Sequence, residues 1–189
     1  VLTGGEDDAA RLWDAATGAA LGKPTEATSS VYVLGFDRRG GRLLVGDQQY
    51  ALQVRDANTG ESLPFLKLPS YACSFAASPT DDRIAVGTDN GHVSLWDAES
   101  GRSVGPPLFH SARVESVQFD QTGRRLLTAS GDGTVKLWDL KPQQPARALQ
   151  FDGEWPKYSP EGIRPSFGRE VGPMQIPLMD GTVRLIDPD

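Results

Sequence analysis

At 189 residues, with 38% apolar and 23% charged residues, the chain can bury a core without any unusual device. A formal net charge of −6 disfavours general phosphate-backbone binding, which needs clustered lysine and arginine, and no run of about 18 apolar residues offers a membrane-spanning helix. One cysteine, Cys73, excludes an internal disulfide and a cysteine-based metal site, and the two histidines, His92 and His110, are too few for a multi-histidine centre.

Along the chain, five stretches end alike: Arg11-Leu12-Trp13-Asp14, Gln53-Val54-Arg55-Asp56, Ser94-Leu95-Trp96-Asp97, Lys136-Leu137-Trp138-Asp139 and Arg184-Leu185-Ile186-Asp187. Their final aspartates lie 42, 41, 42 and 48 residues apart. A period of this size denotes stacked copies of one supersecondary unit, none of which can bury its apolar face alone. In the first copy, Glu6-Asp7-Asp8 reads as a turn between strands rather than a calcium loop, because the acidic residues do not alternate. Gly18 to Lys23 looks superficially like a phosphate loop, but Pro24 stands where a serine or threonine would bind magnesium; the stretch reads as an outer strand and its exit.

The fourth copy is the clearest. Val114, Val117 and Phe119 form a first apolar run, Gln121-Thr122-Gly123 a turn, Leu126 to Ser130 a second run, and Gly131-Asp132-Gly133 another turn. Thr134 to Trp138 then alternates apolar with polar residues, as a half-buried strand does, and Ala146, Ala148, Leu149 and Phe151 suit an outer strand. Residues 152–179 are the least regular and carry Pro156, Pro160, Pro165, Pro173 and Pro177; either the last unit is frayed or an extra loop lies between Ile163 and Pro173. Short strands between Gly, Asp and Pro turns, without a helical period of useful length, make the chain all-β.

From His110 to Asp139 the residues resemble the WD40 repeat: a histidine, Val-x-x-Val-x-Phe, a glycine turn, a strand ending in serine, Asp-Gly-Thr-Val, and Leu-Trp-Asp. The regular style of the repeats is similar to that of bacterial WD40 proteins. The resemblance implies a β-propeller of four-stranded antiparallel blades, which leaves only short, protected strand edges. About five blades are expected, near residues 1–23, 24–66, 71–108, 113–151 and 155–187, the first lacking its innermost strand and the last its outermost. Such a chain reads as a segment of a larger ring, the alternative being a complete five-bladed one, and an open ring would self-associate through its edges.

His110, Ser130 and Asp132 look like a nucleophilic triad, yet no Gly-x-Ser-x-Gly elbow surrounds Ser130. In the family these residues and Trp138 match a buried hydrogen-bond network, which implies that His110→Ala is the most costly polar truncation, on the order of 1–3 kcal/mol. The other copies lack the set: Leu68 stands for the histidine in the third, Gly5 for the serine in the first and Arg55 for the tryptophan in the second. Residues leading into the blades, Tyr32, Tyr71, Arg113, Glu115 and Trp155, are the candidate partner contacts, since aromatics and arginine carry much interface energy.

No nucleophile with its base, metal set or cofactor loop stands out, so the reading is a non-catalytic scaffold that binds other proteins or peptides. That reading expects no cofactor, no nucleic-acid or membrane partner, and a cytoplasmic location. A regulatory propeller attached to a serine/threonine kinase or signalling NTPase is the alternative, and an enzymatic propeller with a central active site a third reading.

Overall fold

The computed structural model describes residues 1–27, 29–47, 51–61, 63 and 66–140, together with three short strands beyond them. The outer strand expected from Ala146 to Phe151, the unit opening at Tyr158, and Trp155 lie outside the described residues. Among the described residues the strands form five antiparallel sheets, each built from consecutive strands. Sheet one holds β1 (Leu2–Gly4), β2 (Ala9–Leu12) and β3 (Thr25–Glu26). Sheet two holds β4 (Val31–Phe36), β5 (Arg42–Asp47), β6 (Ala51–Asp56) and β7 (Leu66–Lys67). Sheet three holds β8 (Ala72–Ala77), β9 (Arg83–Thr88), β10 (His92–Asp97) and β11 (Leu108–Phe109). Sheet four holds β12 (Val114–Phe119), β13 (Arg125–Ser130) and β14 (Val135–Asp139), and sheet five β15 (Ser166–Phe167), β16 (Met174–Pro177) and β17 (Val183–Ile186). No helix occurs among the described residues, so none is long and apolar enough to cross a membrane.

The recurrent terminal aspartate has a local cause. Asp14 Oδ1 accepts the N–H groups of Ala16 and Thr17, Asp56 Oδ1 those of Asn58 and Thr59, and Asp97 Oδ1 that of Ser100. Each carboxylate thus closes the turn that follows its strand, β2, β6 or β10.

The core lies between sheets rather than within them. Ile84, Val86 and Ala72 of sheet three join Leu44, Leu52 and Val54 of sheet two in one cluster; Ala85, Val93 and Leu95 of sheet three join Val114, Val117 and Leu126 of sheet four in the next. Central strands β9 and β13 are therefore buried along both faces from their second residue onward, which removes the simple alternation expected of a one-sided sheet. The first strands of successive sheets stand side by side, β4 against β8 and β8 against β12. Between the last two, the Ser74 hydroxyl donates to Val114 O at 3.1 Å in a buried position. At the opposite ends of these strands, Arg83 Nη2 donates to Gly123 O at 2.6 Å and Arg39 reaches Asp82 at 3.3 Å, so the turns of neighbouring sheets are also tied.

The outer strands fall late. Trp13 bridges Ala20 and Trp96 bridges Ser103, but continuous pairing resumes only at Thr25–Glu26 and Leu108–Phe109. The intervening Gly22-Lys23-Pro24 and Gly105-Pro106-Pro107 put a positive-φ glycine and proline on the edge, where the missing N–H discourages further strand addition.

Candidate functional site

Sheet four contains a connected set of buried polar groups. His110, with its side chain fully buried, places Nδ1 3.2 Å from Asp132 Oδ2 and Nε2 2.7 Å from Thr128 Oγ1. The Trp138 indole N–H donates to the same Thr128 oxygen at 2.8 Å. Asp132 is held in turn by the Thr134 hydroxyl at 2.6 Å and by the N–H groups of Thr134 and Ser111 at 2.9 and 2.8 Å.

Histidine, aspartate and tryptophan are thus brought together, but the hydroxyl between them belongs to Thr128, not Ser130. The register supplies the reason: Trp138 pairs across with Leu126 and is diagonal to Thr128, whereas Ser130 lies two residues beyond Thr128 and four beyond Leu126, roughly 13 Å along the strand from the residue opposite the indole. Ser130 instead donates to Ala112 O at 2.9 Å and accepts the Asp132 N–H at 3.1 Å, fixing the turn. This set is not a nucleophilic triad, because the imidazole is closed off from solvent and the hydroxyl on it is already engaged by an indole.

The missed threonine had a signal in the sequence. In the first copy Thr3 stands ten residues before Trp13, as Thr128 does before Trp138, and its hydroxyl accepts the Trp13 indole N–H at 2.8 Å. Where the histidine is absent the threonine is absent too. The third copy pairs Leu68 with Val86, both buried, and its Trp96 turns to Ser94 Oγ at 2.8 Å. The second copy pairs Ala27 with the buried Val45, and Arg55 directs Nη2 to Glu26 O and Gln53 Oε1 at 3.4 and 3.2 Å. Loss of both partners together avoids leaving half a buried network.

A second cluster lies where the chain enters β8 and β12. Arg113 stands 3.8 Å from Asp89 and 3.4 Å from Glu115, with 47% of its side chain exposed. Hydrogen bonding to Asp89 pushes the Tyr71 phenol up to about 12, and burial pushes the Cys73 thiol up to about 11. Three of the candidate contacts, Tyr71, Arg113 and Glu115, therefore converge, with Asp89 and Cys73 as the unanticipated members. Tyr32 occupies β4 by backbone register, and Trp155 lies outside the described residues.

These positions share a backbone feature. Pairing skips one residue between Val31 and Val33, between Ala72 and Ser74, and between Val114 and Ser116, so Tyr32, Cys73 and Glu115 are bulge residues at the same place in three successive first strands. Bulges interrupt the regular alternation of the pleat. Nothing in the residue types themselves announces this, since the bulge position holds tyrosine, cysteine and glutamate.

The buried network gives a pH dependence with a definite sign. Burial lowers the affinity of His110 for a proton, outweighing the pull of Asp132, so the unfolded chain binds the proton more readily and stability falls as pH drops below about 6.5. Burial also works against the Asp132 charge, but hydrogen bonds from Thr134 and Ser111 hold its carboxyl down to about 2; its contribution is lost only as pH falls from 3.8 toward that value. Urea melts at pH 7.5 and 5.5 should show the first loss in the wild type and a smaller one in His110→Leu. An equal change in both would reject this role for His110.

Residues 66–97 and 108–139 each match the family described as WD domain, G-beta repeat. Eukaryotic translation initiation factor 3 subunit I of Nematostella vectensis is 30% identical over 159 residues, covering 80% of this chain and 49% of that protein. The same subunit of Xenopus tropicalis is 32% identical over 151 residues, covering 74% and 46%, so the chain spans about half the length of the curated relatives it matches. The computationally designed Ika4 protein shares the fold, with a TM-score of 0.66 at 24% identity over 74% of this chain and 84% of that one. The bacterial character expected from the regularity of the repeats is overturned, because these relatives are eukaryotic. Regularity reflects the packing demands of stacked sheets, which are the same in any organism.

Proposed function

The chain belongs to the WD40-repeat family, and from that premise we propose that it is a non-catalytic scaffold binding other proteins through the cluster around Arg113. The observation that carries this reading is the bulge repeated at one place in three adjacent first strands, beside a convergent set of tyrosine, arginine and two carboxylates. The sheets are read as about five wedge-shaped blades of a larger ring, with this cluster at the end where the first strands begin. The matched relatives are by name subunits of a translation initiation factor, which supports a role within a protein assembly in the cytoplasm.

Photo-crosslinkers placed at Glu115 and, at the opposite end of the sheets, at Thr122 test the reading in a eukaryotic extract. Crosslinks should concentrate at Glu115, and Arg113→Glu should reduce them by about ten-fold, the effect of losing one interface contact of moderate weight. Equal crosslinking from both ends, insensitive to Arg113→Glu, would contradict it.

A further inference from the structure

His110 connects the interior of sheet four to the loop that delivers Arg113. An ionised carboxylate only accepts, so His110 Nδ1 beside Asp132 carries the ring proton, and Nε2 accepts from the Thr128 hydroxyl, whose oxygen in turn accepts the Trp138 indole N–H. The imidazole is thereby the neutral tautomer, and its Nδ1 proton lies between Asp132 Oδ2 at 3.2 Å and the Thr134 hydroxyl oxygen at 3.1 Å. The Asp132 oxygen that faces this proton also takes the Ser111 N–H at 2.8 Å, and Ser111 opens the short loop through Ala112 and Arg113 into β12. The charged groups facing the ring are Asp132, from the turn after β13, and Lys136 of β14, whose ammonium donates to Phe109 O at 2.9 Å.

A second proton on Nε2 would meet the hydroxyl hydrogen of Thr128. That hydroxyl can turn only toward Lys136 O, 3.4 Å away, while the imidazolium remains buried. Opening the loop relieves both problems by giving the ring to water. We propose that His110 is a proton-operated latch: its protonation frees residues 110–113 from Asp132 and Thr128 and withdraws Arg113 from Asp89 and Glu115. Burial already holds the ring below its ordinary value of 6.5, so opening is favoured by up to about ten-fold for each pH unit below that value. The consequence for partner binding rests on the docking-face reading; the latch itself does not.

Amide exchange of the whole chain, corrected for its intrinsic pH dependence, tests the latch without any partner. Protection of the Ser111 amide should fall by about ten-fold from pH 7.5 to 5.5, while the amides of Leu44 and Val45 in sheet two keep theirs. His110→Asn, which retains a donor toward Asp132 but does not titrate, should abolish the change. Should that variant not fold, the imidazole resonances of the wild type serve instead, and their transition must coincide with that of Ser111 protection. Unchanged Ser111 protection, or an equal loss in every sheet, would overturn the latch and leave the docking face to be judged by crosslinking alone.

Discussion

Thr128→Val is expected to cost about 3 kcal/mol in chemical denaturation, because one change leaves two buried groups, the Trp138 indole N–H and the His110 ring, without the hydroxyl they share. The shape is nearly conserved, so packing loss contributes little and the cost reports the hydrogen bonds. The third repeat indicates how the loss is compensated. Its Leu68, Val86 and Ser94 occupy the places of His110, Thr128 and Lys136, and Trp96 is satisfied by Ser94. The triple variant His110→Leu, Thr128→Val, Lys136→Ser should therefore be more stable than Thr128→Val alone, since neutralising every member of a buried network costs less than orphaning one. A triple variant as unstable as the sum of its separate changes would mean that the hydroxyl is not the centre of the network.

Gly87→Ala carries the second large effect and probes the contact between sheets three and four. A Cβ at position 87 would lie 2.5 Å from Val114 Cγ1, 2.9 Å from Val114 Cβ and 2.6 Å from Ser74 Oγ, the hydroxyl that crosses to Val114 O. Neither neighbour can withdraw, because both sit on first strands pressed together and Val114 is fully buried. Overpacking of this kind costs about 2–3 kcal/mol. Val114→Ala in the same chain should recover some of the loss, giving a coupling of about 1 kcal/mol between residues on different sheets. Strict additivity would show that the two strands do not touch as described. Gly35 has the same role in sheet two, where a Cβ would overlap the Phe75 ring of sheet three.

Much of this was legible in the sequence. The spaced Trp-Asp endings marked the units, and the polarity of Asp14, Asp56 and Asp97 followed from the turns they close. The alternation in β10 and β14 was visible, since those strands still have one less-covered face. What was not legible depends on three-dimensional register. Ser130 attracted attention because it ends a strand beside the turn, yet only cross-strand pairing decides that Thr128 is diagonal to Trp138. The bulges at Tyr32, Cys73 and Glu115 shift the pairing of the backbone and leave no mark on residue type. The late outer strands reflect the Gly-x-Pro and Gly-Pro-Pro interruptions at residues 22–24 and 105–107, which postpone pairing that residue propensity would have placed earlier. Gly87 likewise reads as a strand-weakening residue until its neighbour across the sheet boundary is known.

Successive sheets meeting through their first strands is the claim on which the shared core and the proposed docking face both depend. Nuclear Overhauser contacts in solution address it directly. Strong cross-peaks are expected from the Val114 methyl groups to the Gly87 α-protons and from the Phe75 ring to the Gly35 α-protons, pairs on different sheets. Their absence, in a chain whose contacts within each sheet are intact, would contradict the side-by-side arrangement and with it the convergence of Tyr71, Asp89, Arg113 and Glu115.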